Sequence, residues 1–316
     1  MNNLYRFLEV SKQAVHQGRK RQLEFDLELM DLVHQADLIR EDHPGCGVEK
    51  LYTTLKPKLM GRDKFCEIFI SLGYRVRRIK NYIRTTIPSH INYPNLIEGM
   101  LVTRPFQVVQ TDITYFNLKG VFYYIVFLLD VYTREILGYH LDDNMRAESN
   151  VKALRMTLRK VPTECLEAMI HHSDRGSQYG SNIYTRILKR VGIRISMGLI
   201  AQDNAYAERI NGTIKNEYLR FWYIKDFSDL KGKLRKAVDH YNKKRTHLAF
   251  DNKLSPLSFK KTLLNLDIHK RPKMVIHSSG NYDVLTGRDY TDSRLNAEPL
   301  AYNCPIEIMD KNEVTY

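Results

Sequence analysis

The chain has 316 residues, enough for one sizeable domain with smaller attachments, and its 43% apolar content is ordinary for a folded protein. Its 49 Lys and Arg against 36 Asp and Glu give a formal net charge of +13, which favours nucleic acid or an anionic membrane surface as a partner. No apolar stretch reaches the roughly 18 to 20 residues of a membrane span, and no secretory signal is visible. A cytoplasmic protein with no membrane partner is therefore expected.

Residues 1–85 predict a small all-helical region. Tyr5–Gln17 is typical of the end of one helix, a tight turn, and a second helix capped by Ser11. Asp63 is expected to cap a later helix, and Gly73 stands where a helix end often needs left-handed backbone. Further helices are expected over residues 22–40, 48–55 and 63–72. Short helices joined by turns suit a helix-turn-helix DNA-binding region, and they equally suit a plain bundle.

A basic segment without acids follows this helical region. Its cations alternate with tyrosines and are Arg75, Arg77, Arg78, Lys80 and Arg84. Such a segment can lie along DNA phosphates, although a solvated charged face has the same composition. Ile87–Pro105 contains three prolines and little periodicity, so residues 86–104 are predicted to form a linker.

Residues 105–262 predict the main domain, an α/β unit. Strands are expected at residues 106–116, 121–130, 134–141, 168–173 and 193–197, and helices at 145–161, 182–191, 203–219 and 228–244. The turn at Asn117–Gly120 makes the first two strands an antiparallel hairpin. Three strands followed by alternating helices and strands predict a mixed five-stranded sheet flanked by helices. Residues 263–316 form a carboxyl-terminal tail with a short strand expected at Lys273–His277 and no assigned role.

Three acids stand out within this domain. They are Asp112 in TDITYF, Asp174 in HHSDRGSQY and Glu208 in DNAYAERINGTIKNE. Asp112 lies in the first strand and Asp174 follows the fourth, so both leave the sheet together if those strands are neighbours. Gly176 is expected to allow a sharp turn after Asp174.

The helix predicted after these strands carries the third acid on a polar stripe. Asn204, Glu208, Asn211 and Lys215 recur there at intervals of four, three and four residues. Each acid taken alone has a structural explanation, and His171, His172 and Gln178 could assist or be structural. Asp130 and Asp203 are competing acids, which we interpret as a strand-end turn acid and a helix N-cap.

Converged carboxylates of this kind bind hard divalent cations. Mg²⁺ prefers oxygen ligands, and two ions roughly 3.5 to 4 Å apart can activate water and stabilise the leaving oxygen of a phosphodiester. Because the remainder of the chain is basic, DNA is the expected substrate. The acids predict a metal-dependent enzyme that cuts and joins DNA.

The three motifs, in this order, resemble the catalytic core of bacterial insertion-sequence transposases, particularly the second-reading-frame (OrfB-type) proteins of family three. The resemblance covers about half of the chain and implies a ribonuclease-H-like fold, shared with retroviral integrases. It also implies that Asp112, Asp174 and Glu208 are the DDE metal ligands, for two Mg²⁺ ions that Mn²⁺ can replace. Lys215 matches the family's basic residue seven positions after the glutamate, and it and Asn211 are expected to contact DNA.

The same resemblance suggests partners and a setting. The expected partners are double-stranded DNA, a second copy of the chain, and an upstream-frame fusion partner. The DNA comprises the terminal inverted repeats of the element and the target. The expected setting is the bacterial nucleoid. Only 33 residues separate Asp174 from Glu208, which suggests a shortened loop near Gly198–Gln202. Two rival hypotheses remain, a transposase-derived DNA-binding protein without catalysis and a structure-specific nuclease.

Overall fold

A computed structural model of the chain describes residues 10–76, 92–198 and 201–276. Its α-helices are α1 Lys12–Asp42, α2 Val48–Leu55, α3 Arg62–Ser71, α4 Ala147–Leu158, α5 Thr163–Leu166, α6 Ser177–Gly180, α7 Asn182–Arg190, α8 Ala205–Ile214, α9 Phe227–Lys243 and α10 Pro256–Leu264. Its strands are β1 Leu101–Val102, β2 Val108–Leu118, β3 Val121–Asp130, β4 Ile136–Asp142, β5 Ile170–Ser173, β6 Arg194–Met197 and β7 Met274–Val275. The chain divides into two compact units, residues 1–79 and 80–316.

The amino-terminal unit is built on one long helix. Ser11 caps α1 as expected, its hydroxyl accepting a 3.0 Å hydrogen bond from the backbone N–H of Ala14. The predicted interruption between residues 17 and 22 is wrong: the exposed Gly18 lies inside α1, because one glycine costs a helix only about 1 kcal/mol. The part of the predicted turn before residue 10 lies outside the described residues.

The two short helices after α1 complete a small aromatic core. Phe65 and Phe69 of α3 stack with ring centroids 4.0 Å apart, and both are fully buried. Gly61, not Asp63, is the N-cap of α3, so that prediction is wrong; Asp63 lies in the first turn, where a negative charge suits the helix dipole. Gly73 has the expected positive φ, +91°. These helices stay compatible with both a helix-turn-helix region and a plain bundle.

The second unit contains the predicted five-stranded sheet. Its strand order is β4-β3-β2-β5-β6. The pairs β2–β3 and β3–β4 are antiparallel, whereas β2–β5 and β5–β6 are parallel. A three-stranded meander joined to two parallel strands by helices is the ribonuclease-H-like arrangement, so the predicted fold is confirmed.

Alternating side chains of β3 explain why helices cover both faces of this sheet. Val126 and Leu128 pack in a core with α4 and α7, while Ile125, Phe127 and Leu129 pack in another with α8 and α9. A strand that buries both faces has a nearly continuous apolar sequence, as VFYYIVFLLD does. The sheet is therefore held rigidly between two layers of helices.

Segments on both sides of the main domain also pack against it. Strand β1, from the predicted linker, pairs antiparallel with β7, from the predicted tail. The hydroxyl of Tyr132 donates a 2.7 Å hydrogen bond to the carbonyl of Pro272. The expected strand at Lys273–His277 is thus present as Met274–Val275. Across the described ranges, no helix is both long and apolar enough to cross a membrane.

Candidate active site

Two of the three candidate acids lie on neighbouring parallel strands. The last register pair between β2 and β5 is Thr111 with Ser173, so Asp112 is the next residue of β2 and Asp174 is the first residue after β5. Both side chains are half-buried. Because parallel strands direct equivalent positions alike, the two carboxylates leave the sheet side by side, as the spacing predicted.

The loop after β5 fixes the Asp174 carboxylate. Its Oδ1 atom accepts a 3.0 Å hydrogen bond from the backbone N–H of Gly176. The chain bends after Asp174 as expected, but Gly176 has φ −60°, so this turn uses backbone angles that other residues can also adopt. A Cβ atom at this position would instead lie 3.0 Å from that same Oδ1 atom. The glycine provides space beside the carboxylate.

The start of α8 is fastened to β2 by two buried amides. Gln110 donates from Nε2 to the carbonyl of Asp203 at 3.0 Å, and its Oε1 accepts from the N–H of Ala207 at 3.3 Å. Asn204 donates from Nδ2 to the carbonyl of Thr111 at 2.9 Å. Asn204, not Asp203, is the N-cap residue of α8, so that prediction is wrong. These bonds set the position of the helix that carries Glu208.

Later residues of the polar stripe on α8 and just after it also contact β2. Asn211 is buried and donates from Nδ2 to Oδ2 of Asp112 at 2.7 Å. Lys215 opens a π-helical turn, Lys215–Leu219, and its Nζ donates to the hydroxyl of Thr114 at 2.6 Å. The same ammonium lies 5.1 Å from the centroid of the Tyr115 ring. Lys215 is thereby fixed on β2 two residues beyond Asp112.

Burial and neighbouring acids raise the pKa values of Asp112 and Glu208. Burial, and then the charges of Asp174 and Glu208, raise the pKa of Asp112 to about 8. Burial and the charge of Asp174 raise the pKa of Glu208, although the residue is exposed to solvent. Burial lowers the pKa of Lys215, as does Arg220, while Asp112 opposes the shift. The structure thus brings Asp112, Asp174 and Glu208 within electrostatic reach beside one partly buried cation.

The competing residues have structural partners. Asp130 accepts hydrogen bonds from Thr133 and from the N–H of Phe106, as a strand-end turn acid does. His171 and His172 are buried, with ring nitrogens 2.8 Å from the hydroxyls of Tyr184 and Ser196. Burial lowers the pKa of His171 to about 3 and that of His172 to about 4. These three side chains belong to the framework of the domain.

Sequence reasoning missed several residues that shape this site. They are Gln110, Thr114 and Tyr179, the last of which is buried with its hydroxyl 3.3 Å from that of Thr111. A polar Gln110 within an apolar strand was the signal that could have revealed the first. Of the basic segment, Arg75 is exposed, and Arg77, Arg78, Lys80 and Arg84 lie outside the described residues.

The donor chemistry of the site suits a hard divalent cation. Three carboxylates supply only oxygen ligands, and their mutual repulsion is what a divalent charge would offset. The amide oxygen of Asn211 beside them is buried without a hydrogen-bond partner. Within the described ranges, however, no three His, Cys, Asp or Glu side chains form a group able to hold a metal ion as they stand. Binding would therefore require the carboxylates to turn towards one another.

Comparison with known proteins identifies the family. Residues 102–201 match a family model of the integrase core domain, and residues 190–254 match a second model of the same description. The chain is 33% identical over 223 residues to the insertion element IS600 uncharacterized 31 kDa protein of Shigella sonnei, covering 68% of this chain and 80% of that protein. The chain belongs to the insertion-sequence transposases, and within them to family three, second-reading-frame type.

A second relative agrees with this membership, and one solved structure is a distant neighbour. The transposase is 34% identical over 212 residues to the transposase for insertion sequence element IS629 of Shigella sonnei, covering 65% of this chain and 70% of that one. A chain of the simian T-cell lymphotropic virus intasome in complex with PP2A regulatory subunit B56 gamma is 18% identical, with TM-score 0.40, over 64% of this chain and 66% of that chain. The protein is a DNA transposase, a polynucleotidyl transferase of the DDE type with an integrase core.

Proposed function

We propose that Asp112, Asp174 and Glu208 are the catalytic carboxylates of this transposase. The observation that carries the proposal is geometric: Asp112 and Asp174 directly follow the last register pair of neighbouring parallel strands, and hydrogen bonds fasten α8, which carries Glu208, to β2. The raised pKa values of Asp112 and Glu208 agree with this placement. A DNA-binding surface gains nothing from crowded carboxylates, because they repel phosphates and one another. Carboxylates that face a polyanionic substrate are useful when they hold cations between themselves and that substrate.

The proposed cations are two Mg²⁺ ions, for which Mn²⁺ can substitute. When bound, such ions activate water and stabilise the leaving oxygen of a phosphodiester. Asp112 and Asp174 would hold them, and Glu208 would complete one ligand shell. Asn211 donates to Oδ2 of Asp112, so it would hold that carboxylate by one oxygen while a cation binds it. The rigid sheet under Asp112 and Asp174 keeps two of the three ligands in place.

Lys215 is proposed to hold a DNA phosphate beside these carboxylates. Its ammonium has three donor hydrogens, and one of them is directed to Thr114. The remaining two can bond phosphate oxygens, and partial burial strengthens a charge-assisted bond of this kind. Arg75, Arg77, Arg78, Lys80 and Arg84 are proposed to contact DNA phosphates further away, as part of the recognition of terminal inverted repeats by residues 1–85.

The reaction proposed for the site has two steps at the ends of an insertion sequence. The oxygen of water attacks the phosphorus at an element end, the bond from phosphorus to the 3′ oxygen breaks, and a 3′ hydroxyl is released. That hydroxyl then attacks a phosphodiester of target DNA, so one bond forms as another breaks. Because two ends take part, we propose at least a dimer on DNA, with an upstream-frame fusion partner, working in the bacterial cytoplasm at the nucleoid.

A strand-cleavage and strand-transfer assay with terminal-repeat DNA tests the assignment. Asp112→Asn, Asp174→Asn and Glu208→Gln should each lower both steps at least 10³-fold with Mg²⁺ or Mn²⁺. The matched control is Asp143→Asn, which changes an exposed acid on the same unit and should retain full activity. Full activity in any of the three variants would refute the role of that residue.

The same assay separates the rival hypotheses. A structure-specific nuclease would cut the DNA and never join it to a target. A DNA-binding protein without catalysis would bind terminal repeats and leave them intact at every metal concentration. Joined products that depend on divalent metal are the result expected here.

A further inference from the structure

Aromatic side chains are exposed at the far end of the β2–β3 hairpin, away from the carboxylates. The hairpin tip lies beside the segment that links the π-helical turn to α9. Tyr223 in this segment is 75% exposed and Phe221 is 47% exposed. Trp222 between them is partly buried against the α8–α9 core. We name this patch the hairpin-tip surface and define it by Lys119, Phe221, Trp222, Tyr223 and Lys225.

Cations surround these rings. The Nζ atom of Lys119 donates to the carbonyl of Lys225 at 2.9 Å and lies 6.0 Å from the centroid of the Tyr223 ring. Lys233 and Lys236 place their ammonium groups 5.8 and 5.6 Å from the Trp222 ring. The hairpin tip is thus docked on the linking segment, and the rings stand in a positive field.

The acids nearest to this surface are already engaged. Oδ1 of Asp226 accepts the N–H of Asp229 at the start of α9, and Oδ2 of Asp229 accepts the N–H of Lys225. Residues 219–261 as a whole contain twelve Lys and Arg against four Asp and Glu. The balance of charge therefore favours an anionic occupant over a neutral apolar one.

We propose that the hairpin-tip surface binds unpaired nucleotides of the DNA substrate. Exposed aromatic faces interleaved with cations suit single-stranded nucleic acid, since bases stack on the rings while the cations bind the backbone. The faces of Tyr223 and Phe221 can reach the face of a base only where that base is unpaired or displaced from the duplex. A paired duplex would meet the lysines and leave the rings unused.

The position of this surface relative to the carboxylates gives the length of DNA involved. Asp112 is six residue steps along extended β2 from Leu118 at the hairpin end, or about 20 Å at roughly 3.3 Å per step. That distance corresponds to about six base steps of DNA at roughly 3.4 Å each. The unpaired nucleotides would therefore lie about six positions from the reacting phosphodiester, and this placement, unlike the binding itself, rests on the proposed function.

Fluorescence anisotropy with the full chain in a chelating buffer tests the proposal. The probes are a labelled 12-nucleotide oligothymidylate and a labelled 12-base-pair duplex. Tyr223→Ala and Phe221→Ala should each weaken binding of the single strand about tenfold and binding of the duplex less than twofold. Lys119→Ala should weaken both and lower the slope of log affinity against log salt by about one.

Matched controls keep the result specific. Leu248→Ala removes a side chain that is 62% exposed elsewhere on the same unit, and Lys261→Ala removes an exposed cation. Leu248→Ala should bind the single strand as the wild type does, and Lys261→Ala should lose less affinity than Lys119→Ala. Thermal melting of each variant shows that the fold is intact.

Two outcomes would overturn the proposal. One is a Tyr223→Ala variant that binds the single strand with unchanged affinity. The other is a Tyr223→Ala variant that self-associates less in sedimentation equilibrium but binds the single strand with unchanged affinity. That result would mean that the surface joins two copies of the chain. Binding is measured without divalent metal, so failure of the proposed catalytic carboxylates would not alter either result.

Discussion

Replacing Asp112 by Asn should make the metal-free transposase more stable while removing its activity. The pKa of Asp112 is about 8 in the folded protein, raised first by burial and then by Asp174 and Glu208. An unfolded aspartate has a pKa of about 3.9, and each unit of difference corresponds to about 1.4 kcal/mol. At pH 7 the proton that Asp112 must take up on folding therefore costs up to about 4 kcal/mol, and less to the extent that solvent screens the charges.

The pH dependence follows from the direction of this shift. The folded protein holds the Asp112 proton more tightly than the unfolded chain does, so stability is highest below about pH 4 and falls as pH rises towards 8. At pH 5 the cost is only about 1.5 kcal/mol. An Asn side chain at position 112 has the same shape and can still accept a hydrogen bond from Asn211, but it does not titrate. The stabilising effect of Asp112→Asn should therefore be larger at pH 7 than at pH 5.

Urea denaturation in a chelating buffer at pH 5 and pH 7 measures both effects. The matched control is Asp142→Asn at the end of β4. Against burial, hydrogen bonds from Ser149 and the backbone, together with Lys152, hold the pKa of Asp142 below its usual value. Asp142→Asn should therefore destabilise the protein at pH 7. If Asp112→Asn were no more stable than the wild type at pH 7, the three carboxylates would not be crowded as described.

Three further predictions concern the framework of the site. Gln110→Leu removes both bonds from β2 to the start of α8, so kcat should fall ten- to a hundredfold with KM for DNA within about twofold; an unchanged kcat would contradict a positioning role. Burial, and then the charge of His172, lower the pKa of His171 to about 3, so the stability it supports is present above about pH 6.5 and falls by about 2 kcal/mol at pH 5. In urea titrations His171→Gln should lose this pH dependence, and Tyr184→Phe, which keeps the imidazole, should retain it. Gly138→Ala would place a Cβ atom 2.3 Å from helix α4 and should cost at least about 1–3 kcal/mol by thermal melting, whereas Gly232→Ala, in open space on α9, should be neutral or stabilising.

Local patterns in the sequence were enough to predict the sheet. The hairpin of β2 and β3 followed from two apolar runs around a turn, and the parallel strands followed from their alternation with helices. The proximity of Asp112 and Asp174 was predicted on the condition that their strands are neighbours, which the pairing of β2 with β5 confirms. These features depend on side-chain period and turn chemistry within about ten residues, so the sequence carries them directly.

Tertiary structure decided the features that depend on contacts between distant residues. Gln110 and Asp203 are 93 positions apart, and Asn211 and Asp112 are 99 apart, so no local pattern could pair them. The same packing made Asn204 rather than Asp203 the N-cap of α8 and gave Gly176 its role beside Asp174. The sequence by itself determined which acids and strands are present. Only the folded chain determined how buried amides and cations orient them, because those hydrogen bonds form after the helices have packed on the sheet.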